Sequence, residues 1–139
     1  MVDVLIDEPT SQRPVSVDAT QDERNGMKLL TCILRPESVE AVKEALSQLQ
    51  VVGGMTLTEV RGFGRQRGHV EHYRGGEYVV RFVPKVRLDV AIPEEEVDRV
   101  LTAVSEAART GQVGDGKVFV VEMRNALRIR TGERGLAAL

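Results

Sequence analysis

A run of eight residues, Thr110-Gly111-Gln112-Val113-Gly114-Asp115-Gly116-Lys117, carries the strongest chemical signal in this chain. Its three glycines permit backbone conformations in which N–H groups converge on an anion, and Lys117 adds a positive charge. The chemistry this suits is the holding of a phosphate. The run formally fits G-x-x-x-x-G-K, but Val118 stands where a Ser or Thr would hold Mg²⁺. A helical pattern precedes it and a strand pattern follows, the reverse of the order that lets a loop use a helix N-terminus. The pattern therefore predicts a phosphate cradle and argues against a P-loop NTPase; the plain alternative is a glycine-rich helix–strand turn.

Other residues carry weaker signals. Arg128 and Arg130 lie two apart, so in an extended segment they would point the same way and could grip a polyphosphate. The alternative is a pair of solvated surface arginines. Arg61-Gly62-Phe63-Gly64 mimics the start of an RNA-recognition motif's aromatic strand, but Arg65-Gln66-Arg67 follows where aromatics belong. The strand pattern KLLTCIL, 28–34, also has no aromatic on which a base could stack. His69, Glu71 and His72 have loose spacing and no apparent fourth ligand, which fits a solvated loop better than a metal centre. Cys32 sits in an apolar run and reads as a packing residue. No Ser-His-Asp, Cys-His or paired-carboxylate arrangement stands out, so nothing asks for catalysis.

The bulk composition narrows the classes further. The chain has 139 residues, 42% hydrophobic and 29% charged, enough for one domain with a real core. Aromatics are only 4% and Trp is absent, so Val, Leu, Ile and Ala must build that core. A net charge of -2 gives no basic field for nucleic acid. The single cysteine excludes a disulfide framework. No apolar run approaches the roughly 20 residues needed to span a bilayer. No basic-then-apolar leader opens the chain, so the expected address is the cytoplasm. Residues 1–26 hold six acids and two bases, with no periodicity, and read as a disordered acidic extension ahead of a folded domain, 27–139.

The elements that would position these groups follow from periodicity. KLLTCIL reads as a buried strand, ended by Arg35-Pro36. Val39, Val42, Leu46 and Leu49 recur at helical spacing over 37 to about 50, and Gly53-Gly54 breaks the chain. Residues 55–61 alternate as a half-buried strand. Residues 62–78 form a glycine-rich loop, a length that is usually functional. Residues 79–92 read as the longest strand, with Pro84 demanding an edge position or a bulge. Pro93 and Glu94–Glu96 open a second helix lined by Val97, Val100, Leu101, Val104 and Ala108. A last strand spans 118–124. The order β-α-β, loop, β-α-β predicts an α+β, ferredoxin-like βαββαβ sandwich: a four-stranded antiparallel sheet with two helices on one face. The strand at 79–92 is apolar at both alternating sets of positions, so its second face needs a cover, and another subunit is the simplest one.

Four segments together resemble the PII nitrogen-regulatory signal-transduction family. Met55-Thr56-Leu57-Thr58-Glu59-Val60 with Gly62-Phe63-Gly64-Arg65-Gln66 resembles the entry to its T-loop. Tyr73-Arg74-Gly75-Gly76-Glu77-Tyr78 resembles that loop's far end. The run Thr110 to Phe119 resembles the B-loop, and Arg128-Ile129-Arg130-Thr131-Gly132-Glu133 the C-loop. The matches are in register over 27–135.

The resemblance implies a non-catalytic homotrimer with ATP or ADP in the clefts between subunits and a T-loop over 62–80. Gly114, Asp115, Gly116 and Lys117 would hold phosphates with Gly64, Arg65 and Gln66. Thr56, Ala91, Arg128, Ile129 and Arg130 would complete the site, partly from the neighbour. It further implies 2-oxoglutarate bound beside ATP through Mg²⁺, with Gln66 as a metal ligand and Lys85 pairing with a carboxylate. Different ligands would then select different T-loop states. Tyr78 matches the position that many bacterial members uridylylate. Implied partners are an ammonium channel, nitrogen-assimilation enzymes or a uridylyltransferase, and no nucleic acid. The alternative is a PII-like sensor of another small molecule in carbon or transport regulation. Val70, His72, Gly76 and Arg81 depart from the family's usual residues, as do the acidic extension and a C-terminus without the usual acidic pair.

Overall fold

The computed structural model describes residues 26–64, 70–73, 76–79 and 82–139, with side chains described over 26–64 and 82–139. The reading of 1–26 as a disordered extension lies, but for Gly26, outside the described residues.

Strand β1, Met27–Leu34, leads through a 3₁₀ turn, Pro36–Ser38, into helix α1, Val39–Leu49. Val39, Val42 and Leu46 are the buried residues of α1, spaced as one helical face requires. The helix ends at Gln50, whose φ of 61° is left-handed, so the chain turns before Gly53-Gly54 is reached. Strand β2, Thr56–Gly62, follows. A second 3₁₀ turn, Glu94–Glu96, opens helix α2, Val97–Ala108, which buries Val100, Val104 and Ala108.

Two corrections concern the middle of the chain. The segment expected to be one loop contains a two-stranded ribbon, β3 (Val70–Tyr73) with β4 (Gly76–Val79), in which Tyr78 lies opposite Glu71. Val79 therefore ends β4 and does not start the long strand. That strand, β5, runs Val83–Pro93. Pro84 is not on an edge strand, because β5 lies between β2 and β1. It faces Arg61 of β2, but pairing with β1 starts only at Val86, so Pro84 has one strand neighbour. The missing N–H is tolerated where one side of the strand is unpaired. The last strand, β6, spans Gly116–Met123.

The four long strands form an antiparallel sheet in the order β2-β5-β1-β6. With two helices on one face, this is the ferredoxin-like arrangement. Paired residues share a face, which places Leu30, Cys32 and Leu34 of β1 with Val90, Leu88 and Val86 of β5. All of these but Val86, together with Ile92, Val42 and Leu46 of α1 and Val100, Val104 and Ala108 of α2, make one buried cluster. The opposite face carries Thr31 and Asp89, hydrogen-bonded at 2.6 Å, with Phe119 and Val121 about half exposed. That face has no helix over it among the described residues.

Candidate functional site

The loop from Arg109 to Asp115 joins the end of α2 to the start of β6, and one side chain organises it. The Asp115 carboxylate accepts the N–H groups of Thr110 and Gly111, each at 2.8 Å, and the Thr110 hydroxyl. Arg35 Nε lies 3.3 Å from the same carboxylate. These donors, the Thr110 hydroxyl foremost, hold the Asp115 carboxyl well below the usual carboxylate range. The Thr110 hydroxyl oxygen in turn accepts the Gln112 N–H at 3.1 Å. The Asp115 N–H donates back to the Gln112 carbonyl at 3.3 Å. Where β6 begins, Gly116 adopts φ +106°, and a Cβ there would stand 1.8 Å from the Ile33 carbonyl oxygen. Only glycine lets the loop enter the ladder at that point.

The loop's N–H groups are not equally available. The N–H groups of Thr110, Gly111, Gln112 and Asp115 are all consumed within the loop. Those of Val113 and Gly114 have no acceptor among the described residues. Gly114 has φ +105°, a conformation that side chains disfavour. Within this chain the Asp115 N–H is already occupied and its side chain holds the loop's shape.

Beside the loop lies an open cavity of about 560 Å³, walled by Gly62, Phe63 and Gly64 at the end of β2, by Lys85 of β5, and by Gln112 to Lys117. Ile33 and Phe119, both on the helix-free face of the sheet, also line it. Phe63 stands on the rim against Phe82, ring centroids 5.9 Å apart and tilted by 56°. Lys85 is 9% exposed, and its Nζ donates to the Gly114 carbonyl at 2.6 Å. Burial, and then the nearby Arg35 charge, push its pKa down. The cavity thus brings together Gly64, Lys85, Gly114, Asp115, Gly116 and Lys117 from three separate parts of the sequence.

The remaining expected residues lie elsewhere. Thr56 begins β2, six residues and roughly 20 Å along the strand from Gly62. Ala91 sits near the same end of β5, opposite Leu29. Neither lines the cavity in this single chain. Arg128 and Arg130 are not side by side on an extended segment: the Gly132 N–H closes a turn onto the Arg128 carbonyl at 2.8 Å. Arg128 folds inward, its guanidinium 2.8 Å from a Glu133 carboxylate oxygen and 2.9 Å from the Leu139 main-chain oxygen. Ile129, 94% exposed, and Arg130 project outward. The reversal follows from Gly132, whose φ of +76° bends the chain.

Arg65, Gln66 and His69 lie outside the described residues, as do the side chains of Glu71, His72 and Tyr78. The Gln66 metal role is therefore untouched, and no cluster of three metal-ligating side chains occurs among the described residues. One residue escaped the sequence reading altogether. Arg35, read only as the end of a strand, donates from Nη2 to the Val113 carbonyl at 2.9 Å as well as from Nε to Asp115. Only its position before Pro36 marked it, and that position predicts a strand end and nothing about a loop 78 residues away.

Known proteins share both sequence and fold with this chain. The family profile "Nitrogen regulatory protein P-II" matches residues 27–133. The "Nitrogen regulatory protein GlnK" of Escherichia coli K12 is 56% identical over 113 residues, spanning 81% of this chain and 100% of that protein. The "Nitrogen regulatory protein P-II" of Haemophilus influenzae is 50% identical over the same shares. Among solved structures, Arabidopsis thaliana PII bound to citrate superposes with a TM-score of 0.67 at 33% identity, covering 82% of this chain and 92% of that one. The two bacterial relatives are named as nitrogen regulatory proteins. With two independent relatives at half identity or more and a profile matching most of its length, the chain belongs to the P-II family of nitrogen regulatory proteins.

Proposed function

We propose that this chain is a signal-transduction regulator that binds ATP or ADP in clefts between three subunits and controls nitrogen-metabolism partners through the loop over 62–80. The observation that carries the reading is the meeting of free Val113 and Gly114 N–H groups with Lys117 in one cavity at the foot of that loop. Amide donors and ammonium groups together suit a polyphosphate. The cavity wall includes Ile33 and Phe119 of the helix-free sheet face, so a subunit packed on that face would close it. The same neighbour would bring Thr56, Ala91, Arg128, Ile129 and Arg130 to sites they do not reach within one chain.

Gln66 would hold Mg²⁺ between ATP and 2-oxoglutarate, and Lys85 would pair with a carboxylate of the latter. Ligands that favour different loop conformations would shift the population of partner-binding states. Tyr78, on the ribbon β3–β4, is the proposed site of uridylylation. Partners would be an ammonium channel, nitrogen-assimilation enzymes or a uridylyltransferase, in the cytoplasm.

Calorimetry with ATP, Mg²⁺ and 2-oxoglutarate, separately and together, tests the reading. ATP should bind more tightly when the other two are both present. A second reading, sensing of another small anion in the same cleft, takes support from the citrate bound to the Arabidopsis relative. It would be preferred if citrate enhanced ATP binding and 2-oxoglutarate did not.

A further inference from the structure

We infer that Arg35 is the positioning residue that aims the Gly114 N–H at a bound phosphate. The inference rests on the nucleotide reading above and adds to it a residue from outside every loop motif.

In a trans peptide the carbonyl and the following N–H share a plane and point in opposite directions. No cis peptide occurs among the described residues, so this holds for the unit joining Val113 to Gly114. Arg35 Nη2 grips the Val113 carbonyl at 2.9 Å. Arg35 does not line the 560 Å³ cavity; it lines a separate depression with Ser38, Ala108 and Arg109. Drawing the Val113 carbonyl toward Arg35 therefore turns the Gly114 N–H away from Arg35, toward the cavity that Gly114 lines.

The grip is geometrically defined. Arg35 Nε also reaches Asp115, 3.3 Å away, so one planar guanidinium spans two points of the loop. Its own backbone is held by the following 3₁₀ turn, where the Ser38 N–H and hydroxyl both donate to the Arg35 carbonyl at 3.1 and 2.9 Å. The next peptide is held separately, by Lys85 on the Gly114 carbonyl. With a φ of +105° at Gly114, the 113–114 peptide has few steric barriers to rotation of its own. Without Arg35, the Gly114 N–H would sample directions away from the ligand, and binding would have to order it.

The test compares wild type with Arg35→Met, which keeps most of the side-chain volume and removes every donor. ADP affinity is measured by calorimetry. The Gly114 amide is followed by ¹H–¹⁵N NMR during titration with ADP and with inorganic tripolyphosphate. Wild type should show a large downfield Gly114 shift with both ligands. The variant should bind ADP about tenfold more weakly, as for loss of one charge-assisted hydrogen bond. Its Gly114 shift should collapse while the Gly111 amide, held by Asp115, keeps its position. Arg35→Lys should recover part of both effects. Should Arg35→Met fail to fold, Arg35→Gln takes its place, since the shorter amide cannot span Val113 and Asp115 together. Unchanged ADP affinity with a full Gly114 shift in a folded variant overturns the role of Arg35 and leaves the nucleotide reading standing. Absence of ADP binding by wild type overturns both.

Discussion

Lys85 and Gly114, from β5 and the loop before β6, are joined by a single hydrogen bond of 2.6 Å. The ammonium group is thus engaged by a neutral carbonyl in a half-enclosed cavity, where burial disfavours its charge. An incoming carboxylate offers a stronger partner than a carbonyl does. Lys85→Ala should therefore weaken 2-oxoglutarate binding by at least about tenfold, while ADP affinity stays within about threefold. Calorimetry with the two ligands in turn reads both numbers. Equal loss of ADP would show that Lys85 serves the phosphates and not the carboxylate.

Gly116 is the least replaceable residue of the loop. A Cβ there would meet the Ile33 carbonyl at 1.8 Å, and the backbone φ of +106° excludes ordinary side chains. Gly116→Ala should destabilise the fold by on the order of 3 kcal/mol, the scale of combined backbone strain and steric overlap. Urea denaturation followed by circular dichroism measures it. Gly54→Ala, with nothing within 4 Å, is the control and should be nearly neutral.

Acid should loosen the loop through Asp115. Its folded pKa lies below the ordinary 3.8, so between those values the unfolded chain binds more protons. The contribution is complete above about pH 4 and is lost as pH falls toward the folded pKa. Asp115→Asn should lower the urea midpoint at pH 7 and flatten its decline between pH 4 and pH 3. Parallel curves for the two proteins would mean that the carboxylate charge contributes nothing.

Cys32 reports on the core. It is fully buried between the sheet and the helices, and burial pushes its thiol up to about 11. At pH 8 the native protein should react with a thiol reagent roughly a hundredfold more slowly than in denaturing urea. Above pH 9 the unfolded chain ionises first, so stability should fall as pH climbs toward the folded value. Fast labelling of the native protein would require the helices to lift from the sheet.

Much of this architecture is visible in residue patterns, and the exceptions have physical causes. Val39, Val42 and Leu46 marked α1 because a single buried face imposes its period on the sequence. The start of β5 was misplaced because Val79 and Val83 are both apolar, and nothing local says that the first pairs with β3 and the second with β2. The loop at 110–117 is legible as a cluster of glycines, but which N–H groups remain free depends on where one carboxylate points. Asp115 takes two of them, and no spacing rule reveals that choice. Arg128 and Arg130 illustrate the same limit: their side chains diverge because Gly132 bends the segment. Arg35 acts across 78 residues of chain, beyond the reach of any local pattern.

The position of β1 has a mechanical consequence. All eight of its residues are paired on both sides, with β5 and with β6, and its first residue directly follows the acidic extension. A tug on that extension would load two ladders lengthwise and simultaneously, a shear that many bonds resist together, whereas an edge strand would peel one bond at a time. The point at which the chain enters the domain is therefore mechanically sturdy.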